Sequence, residues 1–345
     1  MTKAAKIRVL IVDDSHLGRE LIGAILAKAE DIEVVGEAVN GREGVEKALA
    51  LKPDLITMDI EMPELGGFEA IARIIAARPT PILVVTAQAG VRTAFHAISK
   101  GALEVIEKPD ISLENASRLL SRIRLLARVD VAAHLRVMSG KGGRPPAPPA
   151  HSGGKDNGAG IIAIAASTGG PQAINTILGA LPADFPLPLV IAQHIADGFT
   201  QGMVDWLAAG TRLTVTLART GELLAPGTVH VNPSEHTMYL GEGGRIILGD
   251  RDPVRRLSPS CDTLLGAVAD IYRERAVGLI LSGMGRDGVD GIRAIKSMGG
   301  HTVAQDEASS VIYGMNQEAV KSGFIDRVLP LAEIPRELLK LAGCR

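Results

Sequence analysis

"IIAIAASTGGPQA", Ile161 to Ala173, carries six apolar residues into a serine, a threonine and two glycines, after which PQAINTILGAL has the spacing of a helix. A buried strand, a turn of small residues and a helix make the opening of an α/β unit. Such a turn either cradles a phosphate or lifts a nucleophile. A Walker cradle needs Gly-x4-Gly-Lys-Ser/Thr, and no lysine follows Gly169 and Gly170. The dinucleotide fingerprint needs three spaced glycines, which are also missing. The remaining reading is a turn that raises Ser167 above the edge of a sheet. The Gly-x-Ser-x-Gly elbow does this; here Gly169 fits the position after the serine, but Ala165 stands before it, so the turn is elbow-like without that signature. Backbone N–H groups around such a turn can face an oxyanion.

A serine needs a base to become a nucleophile. His194 ends the next apolar run, PLVIAQHI, and should face the same crevice as Ser167. His230, His236 and His301 also lie near strand ends and stay open on pattern alone. The base needs a group to orient it, usually a carboxylate. VGLILSGMGRDGVDG supplies a further strand and a glycine-rich turn with Asp287 and Asp290 inside it; Asp287 is nearer the strand and is preferred.

The chain has 345 residues, enough for two domains, and 46% of them are apolar. Ser139 to Gly160 splits it: 11 of these 22 residues are Gly or Pro, a composition that builds a linker and no core. We expect domains at 1–128 and 161–345, with a helix end and linker over 129–160. Residues 112–138 read as one helix leading into that linker. The region between Leu213 and Leu248 reads as short antiparallel strands. Net charge is −2, and residues 160–345 carry 16 Lys and Arg against 19 Asp and Glu, so no basic surface bids for nucleic acid. Cys261 and Cys344 form no short-spaced pair, which speaks against a disulfide scaffold or a zinc site. The N-terminal stretch lacks a signal peptide's pattern, and no apolar run reaches the roughly 20 residues a bilayer span needs. The expectation is a soluble, cytoplasmic protein without membrane insertion.

Before the linker, strand-like and helical runs alternate strictly, which implies βαβ units and a parallel sheet. Asp13 and Asp14 close the first strand, Asp59 the third and Thr86 the fourth, and Lys108 follows the fifth. In an open parallel sheet these ends converge on one crevice. Three gathered carboxylates suit a hard divalent ion such as Mg²⁺. A carboxylate beside it can take a phosphoryl group as an acyl phosphate. Lys108 would offset charge on the phosphoryl oxygens, and Thr86 would hydrogen-bond to one of them.

The residues LIVDDS, LITMDIEMPELGGFEA, VVTA and EKP closely resemble the receiver domain of two-component response regulators, over about residues 6–128. The resemblance implies that Asp59 accepts the phosphoryl group, that Asp13 and Asp14 help hold Mg²⁺, and that Thr86 and Lys108 sense the phosphate. It departs at Val105, where many receivers carry Tyr or Phe. After the linker, ASTGGPQA, AQH, PSCDTL, LSGMGRDG and AQDEASSVIYGM resemble the catalytic domain of the chemotaxis protein-glutamate methylesterases. Receiver, linker and catalytic domain in this order match the whole family. The fold implied is α/β throughout: a flavodoxin-like receiver with a five-stranded parallel sheet, linked to a doubly wound methylesterase domain.

The same resemblance implies a triad of Ser167, His194 and Asp287, with Thr168 and Met284 at the active site and Met284 near the oxyanion. Departures fall at Ala165, where Gly is common; at Ile195–Asp197, where Met and Pro often follow the histidine; and at Asn316, where Pro is common. The implied activity is phosphorylation-activated hydrolysis of glutamate γ-methyl esters on chemoreceptors, releasing methanol, with deamidation of receptor glutamines by the same groups. The implied partners are methyl-accepting chemoreceptors as substrate and a chemotaxis-type histidine kinase as phosphoryl donor. The chain is expected to act as a monomer, with no cofactor for the ester chemistry. Competing readings are a DNA-binding regulator, which the charge disfavours, a catalytically silent phospho-switched scaffold, and a methylesterase-like regulator outside chemotaxis. The arginines at 118, 122, 124, 128 and 136 read most simply as a solvated helix face.

Overall fold

The structure, a computed structural model, describes residues 5–87, 91–108, 113–138, 159–251 and 259–344. Most of the Ser139–Gly160 linker and Ser112 lie outside the described residues. The chain divides into two compact units at residues 136/137.

The first unit alternates β1 (Ile7–Val12), α1 (His16–Ala27), β2 (Ile32–Ala38), α2 (Gly41–Leu51), β3 (Leu55–Met58), α3 (Gly67–Ala77), β4 (Ile82–Thr86), α4 (Val91–Ser99), β5 (Glu104–Glu107) and α5 (Leu113–Leu126), and closes with α6 (Val131–Met138). Its five strands lie in the order β2-β1-β3-β4-β5, every pair parallel. Leu10, Val12, Ile56, Met58, Ile71 and Val84 fill one side of the sheet, because strands covered on both faces need apolar residues throughout. Side-chain caps start the helices: Ser15 accepts from Gly18 N and Asn40 from Glu43 N. Residues 113–138 are two helices, where the apolar spacing suggests one. Asp130 ends the continuity, since its carboxylate accepts from Ala133 N and so caps a new helix, α6.

The second unit runs β6 (Ile161–Ala166), α7 (Gly170–Ala180), β7 (Leu189–Gln193), α8 (Thr200–Gly210), β8 (Thr214–Leu217), β9 (Thr228–Val231), β10 (Thr237–Gly241), β11 (Arg245–Gly249), α9 (Cys261–Tyr272), β12 (Ala276–Ile280), α10 (Val289–Ser297), β13 (His301–Gln305), α11 (Met315–Lys321), β14 (Arg327–Leu329) and α12 (Ile334–Leu341). Seven strands form one parallel sheet ordered β14-β13-β12-β6-β7-β9-β8. The antiparallel expectation for residues 213–248 is therefore half corrected. β8 and β9 pair parallel and extend the main sheet, while only β10 and β11 form an antiparallel hairpin. Short strands between Gly and Pro look alike in sequence; where their backbones find a partner decides their direction. β6 is central, and the chain leaves it towards β7 on one side and returns to β12 on the other. Ligand crevices in open α/β sheets form at such a reversal, outside the carboxyl ends of the strands.

Candidate functional sites

The first site gathers at the carboxyl ends of β1, β3, β4 and β5. β1 and β3 are neighbours, so Asp13 and Asp59, each one residue past its strand, fall side by side. Carboxylate oxygens of Asp13, Asp14 and Asp59 all lie within 4.8 Å of one another. Lys108 Nζ is 2.6 Å from Asp59 Oδ2 and 2.8 Å from Asp13 Oδ2. Thr86, buried at the end of β4, accepts the Lys108 N–H at its carbonyl, which anchors the loop carrying that ammonium. Burial pushes the Asp59 carboxyl up, Lys108 pulls it down and the Asp13 charge pushes it up again, leaving it above its ordinary value. Burial pulls Lys108 down, but both carboxylates outweigh that and hold it above its ordinary value. Three carboxylates against one ammonium leave excess negative charge on oxygen donors, the donor set that hard divalent ions take. Gly67, in the PELGGFEA run, sits where a Cβ would fall 2.1 Å from the Asp59 carbonyl oxygen, so α3 starts pressed against the acid's backbone.

The second site lies at the reversal of the larger sheet. β6 and β7 pair with Ala166 opposite Gln193, and His194 N donates to Ala166 O at 3.0 Å. Ser167 and His194 therefore leave adjacent parallel strands side by side. Ser167 N donates to Ser282 O on the other flank, so the serine is held between β7 and the loop after β12. Gly169 takes a left-handed conformation, with φ of 78°, and turns the chain into α7. At Gly170 an added Cβ would lie 2.0 Å from Gln193 Oε1, so α7 packs against the residue before the histidine. Gln193 uses that closeness: its Nε2 donates to Ser167 O at 2.8 Å and to His194 O at 2.9 Å.

His194 Nε2 and Asp287 Oδ2 are 2.7 Å apart, with side chains only 5% and 9% exposed. Asp287 also accepts from Cys261 N at 2.8 Å and Asp262 N at 2.9 Å, the first amides of α9. The positive end of a helix thus faces the carboxylate. Burial alone would raise Asp287, but His194 and these two amides outweigh it and hold the carboxyl below its ordinary range. Asp262 returns the arrangement, accepting from Gly288 N and Gly291 N at the start of α10. Burial and the neighbouring Asp287 charge push Asp262 up despite those N–H groups. The two neighbouring carboxyls are thus shifted in opposite directions, and the one shifted down faces the imidazole.

The rivals left open by the sequence lie elsewhere. Asp290 is exposed and pairs with Arg293 at 3.2 Å. His301 begins β13, at the opposite end of the sheet from the serine. His236 is exposed, and His230 is buried inside β9 with Glu222 Oε2 3.5 Å from its Nδ1. Thr168 is buried, its carbonyl accepting from Ser282 Oγ at 2.7 Å. Met284 is half exposed and follows Gly283, where an added Cβ would fall 2.7 Å from Ser167 Cβ. The Gly283 backbone, one residue before Met284, therefore borders the serine directly.

Spacing does not single out Gln193, Asp262, Ser282 or Asn316 as supports. For Gln193 and Ser282 the signal is the polar residue that ends an apolar run, PLVIAQ and VGLILS; Asp262 and Asn316 carry no such mark. Ser282 Oγ accepts from Ile312 N and donates to Thr168 O, joining the 306–314 loop to the serine turn. Fully buried Asn316 donates to Gln305 O and Ser310 Oγ, clasping that loop where a proline has no side-chain donor.

The sequence pattern of the CheB methylesterase family matches residues 162–338, and that of the response regulator receiver domain residues 9–123. The chain is 46% identical to protein-glutamate methylesterase/protein-glutamine glutaminase 3 of Paramagnetospirillum magneticum, over 99% of this chain and 98% of that one. It is likewise 46% identical to protein-glutamate methylesterase/protein-glutamine glutaminase 2 of Anaeromyxobacter dehalogenans, over 97% of each chain. Among solved structures, the CheB methylesterase catalytic domain of Thermotoga maritima is 35% identical, with a TM-score of 0.52, covering 53% of this chain and 98% of that one.

Proposed function

Since the chain belongs to the CheB methylesterase family and carries a response regulator receiver domain ahead of the catalytic unit, we propose that Ser167, His194 and Asp287 hydrolyse glutamate γ-methyl esters on chemoreceptors. The observation that carries this reading is the 2.7 Å His194–Asp287 pair beside a serine set by the β6–β7 register. With Nε2–H given to Asp287, Nδ1 is the nitrogen left to take the Ser167 proton. Ser167 Oγ attacks the ester carbonyl as His194 accepts that proton, and Asp287 steadies the imidazolium. Backbone N–H groups around Thr168 and Met284 hold the oxyanion, each worth roughly 3–4 kcal/mol in comparable sites. His194 returns the proton to methanol as it leaves. A water activated by the same nitrogen then frees the glutamate carboxylate. Attack on a glutamine amide releases ammonia by the same steps, which is the deamidation.

The receiver unit supplies the control. Asp59 accepts a phosphoryl group from a chemotaxis-type histidine kinase, Lys108 pairs with the phosphoryl oxygens, and Thr86 hydrogen-bonds one of them. Asp13, Asp14 and Asp59 would hold Mg²⁺, which when bound sets positive charge against those oxygens. Phosphorylation shifts the chain towards an open serine crevice, because the two states bind the phosphoryl group unequally. Among the described residues no helix is long and apolar enough to cross a membrane.

Methanol release from a methylated receptor fragment tests the reading, with wild type and Ser167→Ala each measured with and without a small phosphoryl donor and Mg²⁺. Release that needs Ser167 and rises with the donor is expected. No release from wild type despite phosphorylated Asp59 would leave a scaffold.

A further inference from the structure

Cys261 takes no part in the mechanism above through its thiol. It is wholly buried, and its Sγ lies 3.6 Å from His194 Nε2 and 3.5 Å from Ala192 O. One donor atom each from His194, Cys261 and Asp287 falls within 4.8 Å of the others. A nitrogen, a sulfur and a carboxylate oxygen are the donors that zinc and related borderline-soft ions prefer. On a tetrahedral zinc, sulfur and nitrogen ligands sit about 3.6 Å apart, which is the spacing the thiol and imidazole already have. The nitrogen–oxygen edge is about 3.4 Å, so the 2.7 Å His194–Asp287 contact must open by about 0.7 Å as the ion replaces the shared hydrogen.

The geometry points to a latent inhibitory site for a zinc-class ion, made by His194, Cys261 and Asp287 at the heart of the proposed triad. Binding balances without another reactant. The Cys261 proton leaves to solvent, the imidazole hydrogen moves from Nε2 to Nδ1, and the metal bonds to Sγ, Nε2 and the Asp287 oxygen. Thiolate and carboxylate cancel the two positive charges, so the occupied site is neutral, as a buried cluster must nearly be. The outcome for catalysis follows from the same atoms: Nδ1 now carries hydrogen and cannot take the Ser167 proton, and Asp287 no longer faces it. Mg²⁺ does not compete, since it demands oxygen ligands. The three donors stand at positions 194, 261 and 287, a spacing no sequence motif marks; strand ends and one helix start bring them together.

Metal binding stands on the geometry alone, whereas its inhibitory effect rests on the hydrolase reading, so the test separates them. Full-length protein with Mg²⁺ in excess is titrated with Co²⁺ while the thiolate-to-cobalt charge-transfer band is followed. Zn²⁺ is then used to displace the cobalt. The band is expected in wild type and in Cys344→Ser, and is expected to vanish in Cys261→Ser, in Cys261→Ala and in His194→Gln. Methanol release is measured with and without Zn²⁺, each variant against itself. Wild type is expected to lose activity at least about 10-fold and to recover with a chelator. Cys261→Ser should need at least roughly 10-fold more zinc for the same loss, the cost of losing even an outer-shell partner. Absence of the band in wild type, its persistence in both Cys261 variants, or its loss in Cys344→Ser would overturn the site. A Cys261-dependent band with no methanol release from any sample would keep the metal site and remove the hydrolase reading.

Discussion

Asp287 is held by three donors at once, His194 Nε2 and the amides of Cys261 and Asp262, and each favours its ionised form. In the proposed triad this pairing puts the imidazole hydrogen on Nε2 and leaves Nδ1 as the nitrogen to take the Ser167 proton. Asp287→Asn presents an amide that can donate as well as accept, and the tautomer is no longer enforced. We expect kcat to fall by about 10⁴-fold with little change in KM, read as methanol release at saturating substrate. A loss under tenfold would mean that Asp287 does not orient the base. Asp262 acts one step back, through the two glycine N–H groups at the start of α10. Asp262→Ala leaves both without their acceptor and should cost about 1–3 kcal/mol of stability by urea denaturation. Unchanged stability would show that those N–H groups find water instead.

At the scale of elements, the Ser167 turn keeps its shape because α7 lies close against β7. Gly170 permits that approach, since a Cβ there would meet Gln193 Oε1 at 2.0 Å and Ala166 Cβ at 2.7 Å. Gly170→Ala is expected to cost about 1–3 kcal/mol and to lower activity beyond that, because Gln193, which holds the Ser167 carbonyl, must move. Full activity in a stable variant would show that the turn tolerates the shift. β9 carries a pH response of its own. Burial pushes His230 below the ordinary imidazole value, against the pull of Glu222. The unfolded chain therefore takes up this proton more readily than the folded one. Stability that is present above the unfolded value drains away as pH falls from there through the lowered folded value. His230→Gln should flatten the fall of the urea midpoint over that window; an unaltered slope would place the proton uptake elsewhere.

For the whole molecule, the chemistry is in the second unit and the control in the first. Asp59→Asn is expected to abolish the rise in methanol release on adding a phosphoryl donor while leaving the Ser167-dependent basal rate. Removing residues 1–150 should raise that basal rate, if the unphosphorylated receiver restrains the serine crevice. An equal or lower rate from a folded catalytic unit would rule out restraint and leave phosphorylation to act as a positive signal.

Alternating apolar runs, acids at strand ends and a small-residue turn after IIAIAA were enough to read two α/β units, a gathering of acids in the first and a serine at a strand end in the second, because periodicity and turn chemistry are local properties. Asp287 over Asp290, and His194 over three other histidines, needed more than pattern. Sequence places each near a strand end, but only the order of seven strands decides which ends meet at the β6 reversal. β8 and β9 defied the local reading for the same reason, since a short strand takes its direction from its partner. The reciprocal capping of α9 and α10 by Asp287 and Asp262, and the thiol beside the imidazole, were invisible along the chain. They exist because helices from distant segments pack with their N-termini converging, and a contact of that kind is a property of the packed fold alone.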